Sequence, residues 1–178
     1  MSVKVMAVFC GSKEGNNKLF VEHALQVADI LVENKIQLIY GGGGYGLMGA
    51  IANGMLEKNG SVVGVMPKVL TSIEKQHNDL TELYVVDDMH IRKRTIYEKC
   101  DAALILPGGY GTLDEMFEII TWNQLKIHNK KIILLNSAGF YNHLIEHLTK
   151  MEAEGFLYDK FIDKVSIINS PEELKSLL

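Results

Sequence analysis

Short apolar segments alternate with longer amphipathic ones along the chain, and this alternation restricts the fold more than any other feature of the sequence. Residues 3–9 form a compact apolar run with β-branched members that stops at Gly11 and Ser12, as is typical of a strand buried on both faces. From Asn17 the apolar residues recur at the spacing of a helix that buries one face. The same exchange of patterns predicts helices that begin near residues 17, 46, 89, 113, 140 and 171, and strands at 3–9, 37–40, 61–66, 81–86, 102–106, 131–136 and 165–168.

Strands that alternate with helices of roughly 10 to 15 residues indicate parallel strands joined by right-handed crossovers. The expected fold is therefore α/β, a Rossmann-like, doubly wound parallel sheet of about seven strands with helices on both faces. A chain of 178 residues, 47% of them hydrophobic, is long enough for one buried core and short for two ordinary domains. We therefore expect a single domain that spans residues 1–178.

Charge and cysteine content restrict the partners and the compartment. A formal net charge of -4 gives no basic field for a polyanion, so nucleic acid is disfavoured as a partner. Cys10 and Cys100 lack Cys-x-x-Cys spacing and fit a reducing compartment better than a disulfide scaffold. The first residues do not have the pattern of a secretory signal, and the sequence has no run of about 20 apolar residues. We expect a cytoplasmic protein without a membrane partner.

Three turns of small residues follow predicted strands, at residues 11–12, 41–46 and 108–111. The carboxyl ends of parallel strands meet at one edge of the sheet, and ligands bind there in this fold class. The first two turns predict ligand contacts at Gly11, Ser12, Gly42 and Gly43.

The segment 104–115 predicts a strand, a tight turn and then a helix that begins near Thr112. Its glycines allow close approach of the backbone to a ligand. The unpaired N–H groups and the positive dipole end of the helix make this turn suitable for a phosphate.

The turn at residues 41–46 also matches Gly-x-Gly-x-x-Gly, so a dinucleotide site has to be considered. That fingerprint requires an acidic residue at the end of the next strand, where this chain has Val65, Met66 and Pro67. A nicotinamide-dependent oxidoreductase therefore has the least support. The alternative that these glycines only allow tight helix–sheet packing stays open.

Glu115 has two interpretations. Thr112 and Glu115 have the spacing of a capping box, in which the glutamate side chain returns to the start of its own helix. Alternatively, Glu115 shares a helix face with Glu118 and Trp122, and that face would suit a sugar and a flat base in the ligand crevice.

Arg92 and Arg94 are the only arginines in the sequence, and both belong to the helix before the 104–115 segment. A guanidinium suits bidentate contact with phosphate or carboxylate. Residues two apart cannot share one helix face, so at most one of them is expected in the site. A solvated basic face is the alternative for each.

Three motifs together resemble the LOG family of cytokinin riboside 5′-monophosphate phosphoribohydrolases: Pro-Gly-Gly-Tyr-Gly-Thr-Leu-Asp-Glu at 107–115, Met-His-Ile-Arg-Lys at 89–93, and Gly-Leu-Met-Gly at 46–49. The resemblance extends from Cys10 to Phe156. It implies hydrolysis of the N-glycosidic bond of an adenosine 5′-monophosphate, with or without an N6 substituent. The products are the free base and ribose 5-phosphate, and no cofactor or metal is implied.

Carried over by position, the family's catalytic pair falls on Arg92 and Glu115. The implied substrate contacts are Glu74, Lys93, Gly108, Gly109, Tyr110, Gly111, Thr112, Leu113 and Thr121. The chain departs from the family's pattern at Lys13, Ile91 and Asp114. None of these removes a catalytic position, but Lys13 and Ile91 leave the substrate preference open. The resemblance also suggests a homodimer.

Two further interpretations accompany the resemblance. A non-catalytic protein of the same fold that binds a nucleotide or another phosphorylated ligand is the alternative, because glycine turns and an arginine suffice for binding. Members of the family have often been labelled lysine decarboxylases, but no lysine of this sequence has a recognisable pyridoxal-phosphate setting.

Overall fold

The strands predicted from the sequence are present in a computed structural model, which describes residues 3–70 and 76–178. They are β1 (Val5–Phe9), β2 (Gln37–Tyr40), β3 (Val62–Pro67), β4 (Glu82–Val86), β5 (Ala102–Ile105), β6 (Lys131–Leu135) and β7 (Ser166–Ile168). Each begins or ends close to its predicted boundary, because the glycine, proline and polar residues between the apolar runs interrupt the strand pattern.

The α-helices are α1 (Leu19–Glu33), α2 (Gly46–Leu56), α3 (Met89–Lys99), α4 (Tyr110–Gln124), α5 (Asn142–Ala153) and the short α6 (Phe161–Lys164). The predicted C-terminal helix is a 3-10 segment, Pro171–Leu177, which begins with a capping box between Ser170 and Glu173. In the two described ranges, no helix combines the length and the apolar character needed to cross a bilayer.

All seven strands of the described ranges form one parallel sheet in the order β4-β3-β2-β1-β5-β6-β7. The chain proceeds outward from β1 through β4 and then returns to the other side of β1, where Phe9 pairs with Ile105. This reversal leaves a crevice outside the carboxyl ends of β1 and β5. The predicted fold, an α/β domain with a doubly wound parallel sheet, is confirmed.

Successive residues of β1 point to opposite faces of the sheet, and each face has its own core. Met6 and Val8 pack with α1 and α2, whereas Ala7 and Phe9 pack with α3, α4 and α5. All four side chains are buried. Burial on both faces is the reason that the strands are continuous apolar runs in the sequence rather than alternating ones.

The turns after β1, β2 and β5 contact one another through their backbones. Gly11 N–H donates to the Pro107 carbonyl at 3.0 Å, and Leu47 N–H donates to the Gly11 carbonyl at 3.0 Å. Gly46 has a φ of +61°, and a Cβ there would lie 2.3 Å from the carbonyl carbon of Ser12. A Cβ on Gly108 would lie 2.1 Å from Thr112 Oγ1. Gly46 and Gly108 are therefore required by packing.

Candidate active site

The crevice beyond β1 and β5 contains a cleft of about 290 Å³. Its wall is made by the turn after β1, the first residue after β2, the start of α3 and the first turns of α4. Among its lining residues are Ser12, Gly41, Arg92, Gly109, Thr112 and Glu115. The structure thus brings together the arginine, the glutamate and residues of all three small-residue turns.

Helix α3 places Arg92 in the cleft and Arg94 in solvent. The Asp88 side chain caps the helix by accepting a hydrogen bond from Ile91 N–H at 2.8 Å. Arg92, in the first turn, is 8% exposed, whereas Arg94 is exposed. The expectation that at most one arginine faces the site therefore agrees with the structure.

Helix α4 begins at Tyr110, two residues before the predicted start, and its N-cap is Gly109. Leu113 N–H donates to the Gly109 carbonyl at 3.1 Å. Glu115 consequently lies in the second turn and cannot return to the helix start, so the capping-box interpretation of Thr112 and Glu115 is wrong. A threonine followed three residues later by a glutamate fits the motif locally, but the backbone enters the helix at Gly109 instead.

Arg92 and Glu115 form a buried pair whose hydrogen-bonding capacity is not used up. Arg92 Nη2 lies 3.4 Å from Glu115 Oε1, which is longer than an ordinary hydrogen bond. Arg92 Nε and Glu115 Oε1 have no hydrogen-bond partner among the described residues. A buried polar group without a hydrogen-bond partner destabilises the folded state, and its presence is commonly explained by a ligand or a catalytic role.

Gly41 leaves the space that the guanidinium occupies. A Cβ at this position would lie 2.2 Å from Arg92 Nη2. The role of Gly41 is not recognisable from the sequence, because it depends on a side chain about 50 residues further along the chain, beyond the reach of any local spacing rule.

Burial raises the pKa of the Glu115 carboxyl to about 7, although the Arg92 guanidinium opposes this rise. The neighbouring Asp114 carboxylate raises the pKa further, and the Lys93 ammonium lowers it. A carboxyl group with a pKa near neutrality can both accept and donate a proton under physiological conditions. Glu115 is therefore chemically suited to proton transfer.

The start of α4 faces the same cleft. The N–H groups of Tyr110, Gly111 and Thr112 belong to the first turn, where no carbonyl of the helix can accept from them. A Cβ placed on Gly109 or Gly111 would have no neighbour within 4 Å. Packing therefore does not require glycine at these two positions, and the open space allows an anion to approach the N–H groups closely.

Several residues predicted to bind substrate have other partners. The Gly42 carbonyl accepts from His77 N–H at 3.1 Å, and the Gly43 carbonyl accepts from the Tyr40 hydroxyl at 3.2 Å. The Thr121 hydroxyl donates to the Phe117 carbonyl at 2.7 Å, on a separate groove between α4 and α5. None of these three lines the Arg92–Glu115 cleft.

Lys93 and Leu113 also lie outside the cleft lining, since Lys93 is ion-paired with residues of α4 and Leu113 packs against the core. Glu74 lies outside the described residues. Gly11, Ser12, Gly109, Tyr110, Gly111 and Thr112 do line the cleft, and Gly108 lines an adjoining one.

The face of α4 that carries Glu118 and Trp122 is turned towards α3 and not towards the ligand crevice. The Tyr97 hydroxyl donates to Glu118 Oε2 at 2.8 Å, and the Trp122 ring packs against Tyr97 and His128. Helical periodicity places Glu118 and Trp122 on one face, as predicted, but it does not determine which neighbouring element covers that face. In the described part of the chain, no cluster of three or more histidine, cysteine, aspartate or glutamate side chains could hold a metal ion.

Known proteins resemble this chain over most of its length. A family model described as "Possible lysine decarboxylase" matches residues 48–178. A probable cytokinin riboside 5′-monophosphate phosphoribohydrolase of Oryza sativa subsp. japonica is 46% identical over 152 residues, which cover 85% of this chain and 68% of the relative. The cytokinin riboside 5′-monophosphate phosphoribohydrolase of Rhodococcoides fascians is 43% identical over 155 residues, covering 86% of this chain and 78% of the relative.

Two solved structures share the fold at low sequence identity. A molybdenum cofactor binding protein from Rippkaea orientalis has a TM-score of 0.73 and 21% identity, covering 99% of this chain and 96% of that one. A molybdenum cofactor carrier protein from Chlamydomonas reinhardtii has a TM-score of 0.72 and 16% identity, and the match covers 99% of this chain and 96% of that one. At such identities the likeness concerns the fold alone.

The free energy of unfolding is expected to depend on pH through Glu115. The carboxyl has a pKa of about 7 in the folded protein and about 4.3 in an unfolded chain, so between these values the folded state holds a proton that the unfolded state releases. Stability should therefore fall as the pH rises from about 4.3 to about 7, and it should level off above that range.

Urea unfolding of the wild type and of Glu115→Gln at pH 5, 6, 7 and 8 measures this effect. As the pH rises through this range, the free energy of unfolding of the wild type should fall relative to that of the variant. The fall should be up to about 1.4 kcal/mol for each unit by which folding raises the pKa of Glu115. A stability difference between the two proteins that stays constant from pH 5 to 8 would contradict the raised pKa.

Proposed function

The chain belongs to the LOG family of cytokinin riboside 5′-monophosphate phosphoribohydrolases, and from this premise we propose that it hydrolyses the N-glycosidic bond of an adenosine 5′-monophosphate. The base of the substrate is adenine or an N6-substituted adenine. The products are the free base, which is a cytokinin when the substituent is of that kind, and ribose 5-phosphate.

The buried Arg92–Glu115 pair is the observation that carries this proposal. When the bond between ribose C1′ and the base nitrogen breaks, its electron pair leaves with the base and positive charge develops on the sugar. The Glu115 carboxylate stabilises that charge and accepts the proton of the water that forms a bond to C1′. The departing base takes up a proton from solvent.

Arg92 and the start of α4 hold the rest of the substrate. The 5′-phosphate binds at the N–H groups of Tyr110, Gly111 and Thr112, where the helix dipole favours a negative charge. Arg92 contacts an oxygen of the ligand and keeps a fraction of Glu115 ionised near neutral pH. Binding of the phosphate, which does not react, positions the ribose against Glu115.

The setting of Lys93 supports hydrolysis over decarboxylation of an amino acid. Burial by itself lowers the pKa of the Lys93 ammonium, but the hydrogen bonds to Glu118 and Asp114 outweigh it and raise the pKa. A lysine that forms a Schiff base requires the opposite, a lowered pKa. Lys93, whose charge acts on the Glu115 carboxyl, is therefore not suited to that chemistry.

We expect Arg92→Ala and Glu115→Gln each to lower kcat/KM for release of base from AMP by roughly 100-fold or more, because each removes a group that stabilises the transition state. The assay quantifies adenine and ribose 5-phosphate, and it includes N6-isopentenyl-AMP and adenosine as substrates. Arg94→Ala is the matched control on the same helix and should keep wild-type activity.

Two results would contradict the proposal. Wild-type turnover by folded Glu115→Gln would exclude its catalytic role. Binding of AMP by the wild type without release of products would favour the alternative, a binding protein of the same fold.

Gly111→Ala should separate stability from ligand binding. Gly111 is the second residue of α4, where alanine is favoured over glycine by less than the about 0.5–1 kcal/mol found in the middle of a helix, and the added Cβ has no neighbour within 4 Å. The variant should therefore be at least as stable as the wild type, yet its KM for AMP should rise, because the methyl group occupies space that the phosphate needs. Thermal unfolding and steady-state kinetics measure the two effects, and an unchanged KM would exclude phosphate binding at this turn.

An exposed apolar surface supports a homodimer. Tyr110, which is 95% exposed, and Phe117 lie on α4, and Leu125 is its C-cap; Tyr158, which is 89% exposed, lines a groove together with Phe117. Patches of this kind mark interfaces on soluble proteins. We place the contact with a second copy on this surface, next to the cleft. The buried free thiols Cys10 and Cys100 support a reducing compartment such as the cytoplasm.

Leu125→Glu should therefore shift the protein from dimer to monomer in size-exclusion chromatography with light scattering. Leu125 is 63% exposed, so the substitution leaves the core unchanged. Val85→Glu is the control, since Val85 is 50% exposed on the edge strand β4 at the far end of the sheet. A wild type that elutes as a monomer would rule out the dimer.

A further inference from the structure

The Tyr97 hydroxyl lies between α3 and α4, directly behind Glu115. Tyr97 is 1% exposed. Its hydroxyl oxygen is 2.8 Å from Glu118 Oε2 and 3.3 Å from the main-chain carbonyl oxygen of Glu115. The hydroxyl therefore contacts the backbone of the residue whose carboxyl faces the cleft.

Lys93 extends this contact towards the cleft. Its ammonium is 3.0 Å from Glu118 Oε2 and 3.1 Å from Asp114 Oδ2. Asp114 and Glu118 flank Glu115 along the helix, so α4 is held on both sides of the glutamate. The Arg92–Glu115 separation of 3.4 Å is the longest of these polar contacts. Lys93 and Tyr97 thus fix the position of α4 relative to α3. The distance between Arg92 and Glu115 is set by that position.

We propose that Tyr97 is a positioning residue, whose hydroxyl holds the second turn of α4 at the distance from α3 that aligns Glu115 with Arg92. This role rests on the proposed function, since it concerns the alignment of the same pair. The hydroxyl and the ring of Tyr97 have different structural roles. The ring packs edge-on against Phe9 at 6.0 Å and Trp122 at 5.1 Å between centroids, which contributes to the core.

Loss of the hydroxyl changes the surroundings of Glu115 in a defined direction. Glu118 Oε2 would keep only Lys93 as a partner, and the second turn of α4 would be held to α3 less tightly, through the Lys93 ion pairs. Burial is the largest cause of the raised Glu115 pKa, so a looser fit that admits water to the carboxyl should bring the pKa down towards its ordinary value, although Arg92 then lowers it less. The titratable groups that face Glu115 from the elements around it are Cys10, Arg92, Lys93, Tyr97, Asp114 and Glu118.

Tyr97→Phe tests the role, because it removes the hydroxyl and keeps the ring. We expect kcat for AMP hydrolysis to fall about tenfold or more, whereas KM changes less than about twofold because the phosphate turn is intact. The limb of the pH–rate profile that reports Glu115 should move to lower pH. Tyr84→Phe is the matched control, since the Tyr84 hydroxyl contacts Lys99 at the other end of α3, at 3.2 Å.

A titration of the Glu115 side chain by carbon-13 NMR gives a readout that does not require activity. The pKa of Glu115 should be lower in Tyr97→Phe than in the wild type, because the carboxyl is less buried, and unchanged in Tyr84→Phe. A variant with wild-type kcat, or with a lowered Tm and an unshifted Glu115 pKa, would overturn the positioning role. An inactive wild type would overturn the proposed function, and the NMR shift alone would then decide whether Tyr97 positions Glu115.

Discussion

Burial of one carboxyl group beside one guanidinium is the constraint on which the site depends. Glu115 and Arg92 lose most of their hydration at the crevice, and the 3.4 Å between them is too long to compensate for that loss fully. The fold tolerates this arrangement because α3 and α4 are held together by Lys93 and Tyr97 and by their packing on the sheet. A locally unfavourable pair within an otherwise consistent structure is what a functional site is expected to show.

The glycines of the turns divide into two groups with different physical roles. A Cβ on Gly46 or Gly108 would collide with a neighbouring turn, so these residues allow three backbones to meet at the edge of the sheet. Gly109 and Gly111 face open space beside the start of α4, where the missing side chain leaves room for an anion. The sequence shows the same residue type in both settings, because the difference depends on neighbours that are distant along the chain.

The site was predictable from the sequence only in part. Arg92 and Glu115 were paired by resemblance, while spacing alone left a capping box and a solvated helix face as alternatives. The structure excludes the capping box because α4 begins at Tyr110. It also turns Glu118 towards Tyr97 instead of the ligand crevice. Helical periodicity states which residues share a face, but tertiary packing determines what covers that face.

The sequence by itself determined the α/β architecture, because the exchange between continuous apolar runs and helical periodicity is a local property that a parallel sheet covered by helices satisfies throughout. Tertiary structure alone decided that Gly41 makes room for the Arg92 guanidinium and that Glu115 titrates near pH 7. These features depend on desolvation and on contacts between segments far apart in sequence. No local pattern encodes them, since each arises only when the carboxyl ends of β1, β2 and β5 meet.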